Sequence, residues 1–184
     1  IGGEREGHTL GIILATPARR IPLFLGRALP VIVNGWGVAM VGVLAGVLLL
    51  DVDIPAGAWP AILLVVMITS ASCTGLGLAM GALALRVRET AVLGNVVFCV
   101  LLVFCGVNVA LADLPGWMAT VGSWLPLTHG IEAAREIADG ASLGSVTGLL
   151  WREVGIGLAF TALGLAMLRF FEDESRRRAS LDRT

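Results

Sequence analysis

The chain has 184 residues, of which 57% are hydrophobic, with a mean hydropathy of +0.88 and a formal net charge of -1. That apolar share exceeds what a soluble domain of this length carries, and the lack of a basic excess excludes a nucleic-acid binder. No lysine occurs anywhere, so the G-x-x-x-x-G-K-[ST] loop that cradles nucleotide phosphates cannot be built here.

In chain order, residues 1–27 mix charge with short apolar patches. Pro17, Pro22 and Pro30 punctuate the region, predicting a short surface helix near Thr9 to Thr16 followed by a broken lead-in. Three uncharged runs follow, Ala28 to Leu50, Pro60 to Leu85 and Ala91 to Ala112. Each is long enough to cross a bilayer as a helix, which takes roughly 20 residues, and their unbroken apolar character excludes the alternating strands of a β-barrel. The first run is too long for a signal-peptide core and has no A-x-A exit. A fourth run, Val154 to Leu168, must extend at both ends to span, over about 147–171. Arg169 would then snorkel inward, with Arg152 and Glu153 at the outer interface. The expected class is therefore an all-α integral membrane protein, one transmembrane domain with four spanning helices.

Of the 13 arginines, 11 lie before Ala28, in the turn Arg86 to Glu89, or from Arg169 onward. The positive-inside rule places those regions, and so both ends of the chain, in the cytoplasm of a cell whose plasma membrane holds the protein. The acidic loop at Asp51 and Asp53, followed by Trp59, falls outside, as does the segment 113–146. Within that segment, Leu114 to Leu127 is largely apolar, carries Trp117 and Trp124, and is broken by Pro115 and Pro126. Thr128 to Asp139 then sets Ile131, Ala134 and Ala138 on one helical face, and Gly140 ends it. The pattern reads as an external re-entrant helical hairpin, with an interfacial amphipathic helix as the alternative.

Small residues recur at spacings of three and four, Gly35, Ala39, Gly42 and Gly46 in the first run and Ser70, Thr74, Gly77 and Gly81 in the second. Such faces allow close backbone approach in a tight bundle or a dimer. Polarity inside the runs includes Asn34, Ser70, Thr74, Asn95 and Asn108, which either line a path for an amphipathic substrate or make interhelical hydrogen bonds. No ionisable group lies in the three long runs, which argues against proton-coupled transport. Cys73, Cys99 and Cys105 are an odd set without C-x-x-C spacing, and no metal-ligand spacing exists, so no metal site is expected. Gly140-Ala-Ser142-Leu-Gly144 matches G-x-S-x-G, but that nucleophile needs a strand-turn-helix and a positioned histidine, and here it falls between two helices.

Two stretches resemble the permease subunits of type-2 ABC exporters, which move drugs, lipids and lipid-linked glycans. Glu4 to Pro17, reading E-R-E-G-H-T-L-G-I-I-L-A-T-P, is similar to that family's cytoplasmic E-R-E-x-G-T-L-E-x-L-L-x-T-P segment, with His8 in place of a glycine and Gly11 in place of a glutamate. Leu125 to Arg135, reading L-P-L-T-H-G-I-E-A-A-R, is similar to its P-L-T-x-x-I-E-A-x-R element. The resemblance implies that Glu4, Arg5, Glu6, Thr9, Leu10, Ile13, Leu14 and Pro17 belong to a coupling helix seated on a partner ABC ATPase subunit. It also implies that Pro126, Thr128, His129, Glu132 and Arg135 belong to an external gate. ATP and magnesium would be bound by that ATPase, leaving this chain without a cofactor or catalytic residue. A second permease copy or homologue would complete a dimer amid membrane lipids. Such permeases usually have six spanning helices, so the resemblance further implies that the first two precede Ile1 and that this sequence is a fragment. The alternative function is a membrane scaffold that recruits a soluble protein without moving a substrate.

Overall fold

The computed structural model describes the backbone of residues 20–49, 54–84 and 89–181, and the side chains of 29–49, 54–55, 57–84 and 89–171. Six α-helices account for most of it: α1 (Arg20–Leu49), α2 (Trp59–Ala84), α3 (Thr90–Phe104), α4 (Gly116–Gly122), α5 (Thr128–Ala138) and α6 (Thr147–Leu181). Two short 3₁₀ turns, Ala56–Ala58 and Leu111–Asp113, complete them, and no strand occurs among the described residues. Among the described residues, three segments are long and apolar enough to cross a membrane, Leu29–Leu49 in α1, Trp59–Ala84 in α2 and Thr147–Phe171 in α6.

Two helix boundaries differ from the sequence pattern. The lead-in is helical from Arg20 and α1 continues through Pro30. Pro22 falls in the first turn, where the N–H has no helical acceptor, and Pro30 deletes one bond from a helix of 30 residues, a loss that membrane helices absorb. The third apolar run, by contrast, is helical for only 15 residues, roughly 22 Å of rise against a hydrocarbon core of about 30 Å. Its helix stops because tertiary partners take over beyond Phe104. The Cys105 thiol donates to the Pro126 carbonyl at 3.5 Å, and Arg135 Nη2 donates to the Val107 carbonyl at 3.0 Å. Gly106 turns the chain at φ 75°, and Gly122 of α4 presses so closely on the Phe104 carbonyl that no Cβ would fit.

Helix α2 is the centre of the bundle. Its buried residues Ile62, Val65, Thr69, Ser72, Gly75, Ala79 and Ala82 recur at spacings of three and four, forming one stripe down the helix. Most of that stripe packs on α6, the most extensive contact in the fold. Glycines permit the approach. A Cβ on Gly157 would lie 2.7 Å from Ser72 Cα, and one on Gly164 would lie 2.7 Å from the Ala79 nitrogen. Two of the hydroxyls at this seam serve their own backbones, Thr69 Oγ1 donating to the Val65 carbonyl at 2.8 Å and Thr161 Oγ1 to Gly157 at 2.8 Å, while Ser72 Oγ donates across the seam to the Glu153 carbonyl at 3.0 Å. They therefore enter an apolar interface without an unmet hydrogen bond.

The face predicted for close packing on α2, Ser70, Thr74, Gly77 and Gly81, is thus not the one that meets α6. It lies next to the packed stripe and lines an open groove. Helix α1 leans on α2 through the Trp36 indole, which donates to the Leu63 carbonyl at 3.3 Å, while Val31, Val33, Val38, Val41, Leu48 and Leu49 stay exposed. At the end of the bundle where α5 sits, Ile62 and Val65 of α2 join Ala133 and Ile137 of α5 and Val146 and Leu150 of the α6 entrance in one core. The α5 face in that core is Gly130, Ala133 and Ile137, one position away from the predicted Ile131 and Ala134, which are half-buried and border the groove. Gly140 closes α5 as expected. At φ 97° its N–H reaches the Ile137 carbonyl at 3.0 Å, and the Ala141 N–H reaches Glu136 at 2.9 Å, the paired bonds of a Schellman ending.

Candidate functional site

A groove of about 1220 Å³ opens along α2, walled by α1, α3, α5 and α6. On α2 its lining runs from Val65 to Ala84, and at 1.5 Å of rise per residue that is roughly 28 Å of continuous wall. The wall is small and apolar: Gly35 and Ala39 come from α1, and Gly77 and Gly81 from α2. Ser70 and Thr74 lie in it as expected for a pathway, and the Thr74 hydroxyl donates to the Ser70 carbonyl at 2.9 Å. Asn34, Asn95 and Asn108 lie elsewhere. None borders the groove, and all three are exposed, Asn34 on α1, Asn95 on α3 and Asn108 in the segment after α3.

The α5 end of the groove is closed by Leu127, Gly130, Ile131 and Ala134. The five residues expected at a gate gather there. Pro126 is buried and accepts the Cys105 thiol through its carbonyl. Thr128 Oγ1 donates to the Gly122 carbonyl at 2.7 Å, fastening α5 to α4. His129 is buried, with Nε2 3.2 Å from the Ser123 carbonyl. A carbonyl oxygen only accepts, so Nε2 carries the hydrogen. His129 Nδ1 then faces Glu132 Oε2 at 3.6 Å, too long for a hydrogen bond, and is left without a partner. Arg135, exposed, braces the irregular segment after α3 through Val107. Trp117, Trp124 and Trp151 are all exposed at this end, where a belt of amphipathic rings marks a membrane interface.

Sequence reasoning missed Glu153. Placed by pattern at the outer interface, it is instead fully buried, 0% exposed, one turn and a half into α6. Its Oε1 accepts the Leu127 N–H at 2.8 Å and its Oε2 accepts the Gly130 N–H at 3.2 Å, so α6 supplies the oxygens that the start of α5 requires. The available signal was a negative one. Leu127, the residue before α5, has no side-chain oxygen with which to cap it.

The other sequence motifs make no site. Ser142 of the G-x-S-x-G match is exposed in the α5–α6 connection, and His129 engages Ser123 rather than Ser142. Among the described residues, no three or more His, Cys, Asp or Glu side chains gather where they could hold a metal ion. The residues expected to couple to an ATPase, Glu4, Arg5, Glu6, Thr9, Leu10, Ile13, Leu14 and Pro17, lie outside the described residues, as do Asp51, Asp53, Arg86 and Arg88.

Compared with known families, residues 4–138 match the model of the ABC-2 type transporter membrane domain. The matched stretch ends with the last residue of α5, so the groove's α1, α2, α3 and α5 walls lie within it and α6 lies beyond. The chain matches no curated protein and no solved structure.

Proposed function

This chain belongs to the ABC-2 type transporter family as its multi-pass membrane domain, and on that premise we propose that it is the permease subunit of an ATP-driven exporter of amphipathic substrates. The family's membrane domain is not an ATPase domain, and the family generally works with an ABC ATPase partner. In this reading hydrolysis takes place on that partner, which docks on the segment Glu4 to Pro17. Both ends of the chain and the turn at Arg86 face the cytoplasm, and α4 and α5 close the pathway on the outside of the plasma membrane.

The observation that carries the reading is the groove. Its wall along α2, roughly 28 Å, approaches the hydrocarbon thickness of about 30 Å, and the Thr69, Thr74 and Thr161 hydroxyls bordering it are bonded within their own helices. It therefore asks for few hydrogen bonds from a ligand and suits apolar chains or rings with one polar end. Exposed Asn34 and Asn95, which lie on helices that wall the groove but do not border it, support a second copy or homologue packed against α1 and α3. An amide facing lipid has no partner, whereas one facing another chain does. A scaffold without transport leaves the groove unused, and the family match does not favour it.

The test is reconstitution of the full-length protein with its ATPase in proteoliposomes, measuring ATP hydrolysis and movement of fluorescent amphipathic probes. Hydrolysis that depends on this subunit, together with ATP-dependent probe movement, is expected. Assembly with the ATPase but no movement of any probe class would return the scaffold reading to first place.

A further inference from the structure

Leu127 is the one non-glycine residue with positive φ among the described residues, at φ 88° and ψ -31°. A branched side chain adopts that conformation rarely and only where its surroundings impose it. Here the imposing group is the Glu153 carboxylate: its Oε1 holds the Leu127 N–H, and its Oε2 holds the Gly130 N–H three residues on. The Glu153 backbone carbonyl also accepts the Ser72 hydroxyl of α2 at 3.0 Å. Glu153 is therefore one point at which α2, α5 and α6 are tied together. Gly130 adds to the tie by sitting against the Thr69 side chain with no room for a Cβ. The opposite attachments of α5, Thr128 and His129 to α4 and Arg135 to the segment after α3, are single bonds to carbonyls.

We propose that Glu153 is the positioning residue of α5, its two carboxyl oxygens holding the helix start and the left-handed Leu127 turn on the α2–α6 pair, so that α5 moves with that pair. Leu127 also lines the groove, so the turn that Glu153 fixes is where the groove meets α5. The consequence for transport rests on the exporter reading: an α5 released from Glu153 no longer follows the motion of α2 and α6, and the far end of the groove opens out of step with hydrolysis.

The experiment uses the full-length protein in lipid nanodiscs and compares Glu153→Gln with Glu153→Leu. Glutamine is the same size but offers one acceptor oxygen where two amides donate, and leucine offers none. Amide hydrogen exchange across residues 125–133 is expected to quicken at least tenfold in Glu153→Leu and by less in Glu153→Gln, with α2 over residues 65–82 within twofold of the parent. Unchanged exchange at 125–133 in either variant overturns the proposal. Equal quickening in α2 overturns it too, because the residue would then support the whole bundle rather than position α5. If Glu153→Leu does not fold, the glutamine variant decides by the same criterion. In proteoliposomes with the ATPase, transport per ATP hydrolysed should fall at least tenfold in Glu153→Gln, and an unchanged ratio removes the role in coupling. Absence of transport by the parent protein refutes the exporter reading alone and leaves the outcome of the exchange measurement standing.

Discussion

Replacing Gly164 with alanine tests whether α2 and α6 are held together by backbone approach. A Cβ built there lies 2.7 Å from the Ala79 nitrogen, 3.0 Å from the Leu78 carbonyl carbon and 3.1 Å from Ala79 Cα. These are backbone atoms, which cannot rotate aside. Ordinary heavy-atom contact is about 3.5 Å or more, so the helices must part locally by roughly 0.8 Å. Overpacking of this kind costs about 1–3 kcal/mol, offset by the roughly 0.5–1 kcal/mol that alanine gains over glycine inside a helix, which leaves a net loss of up to about 2.5 kcal/mol. Gly155, two turns and a half earlier on α6, has nothing within 4 Å of its Cβ position, so Gly155→Ala should keep only the gain, about 0.5–1 kcal/mol. Unfolding free energies of the two variants, measured by steric trapping in bicelles, should therefore differ by the overpacking cost alone, about 1–3 kcal/mol, with Gly164→Ala the less stable. If Gly164→Ala is as stable as Gly155→Ala, the α2–α6 seam does not depend on backbone contact and the packing argument fails.

Gly77 lines the groove with nothing within 4 Å of its Cβ position, so Gly77→Phe should insert and fold normally yet reduce probe movement at least tenfold; full transport by this variant removes the groove as the pathway. In a background free of Cys73, Cys99 and Cys105, single cysteines at Gly57 and Ser180 should react with an impermeant reagent from opposite sides, and labelling from one side would refute the topology. Leu10→Ala combined with Ile13→Ala should lower ATPase co-purification by tenfold or more, since losing a buried hot-spot anchor commonly costs about 2 kcal/mol, while the apolar runs still insert; normal association and normal transport would dismiss the coupling role of Glu4 to Pro17.

By itself the sequence determined that the protein is helical and membrane-embedded, and where its long apolar segments fall. A bilayer compels each spanning segment to satisfy its own backbone, so hydropathy along the chain is enough to find α1, α2 and α6. The motifs at Glu4 to Pro17 and Leu125 to Arg135 likewise pointed to the family that the match over residues 4–138 shows. Local turn chemistry at Gly140 was equally legible, because a left-handed helix ending needs little beyond its own neighbours. Tertiary structure alone decided which face of α2 meets α6. Two adjoining rows, Ser72–Gly75–Ala79 and Ser70–Thr74–Gly77–Gly81, are both small, and periodicity cannot say which one another helix will cover. It also decided that α3 ends at Phe104, in the middle of an unbroken apolar run, because partners on α4 and α5 compete there for its backbone. Glu153 is the sharpest case. Its position in the chain reads as an interfacial charge, but the groups it serves lie 26 and 23 residues away on another helix, and a hydrogen bond between elements exists only once packing has brought them together.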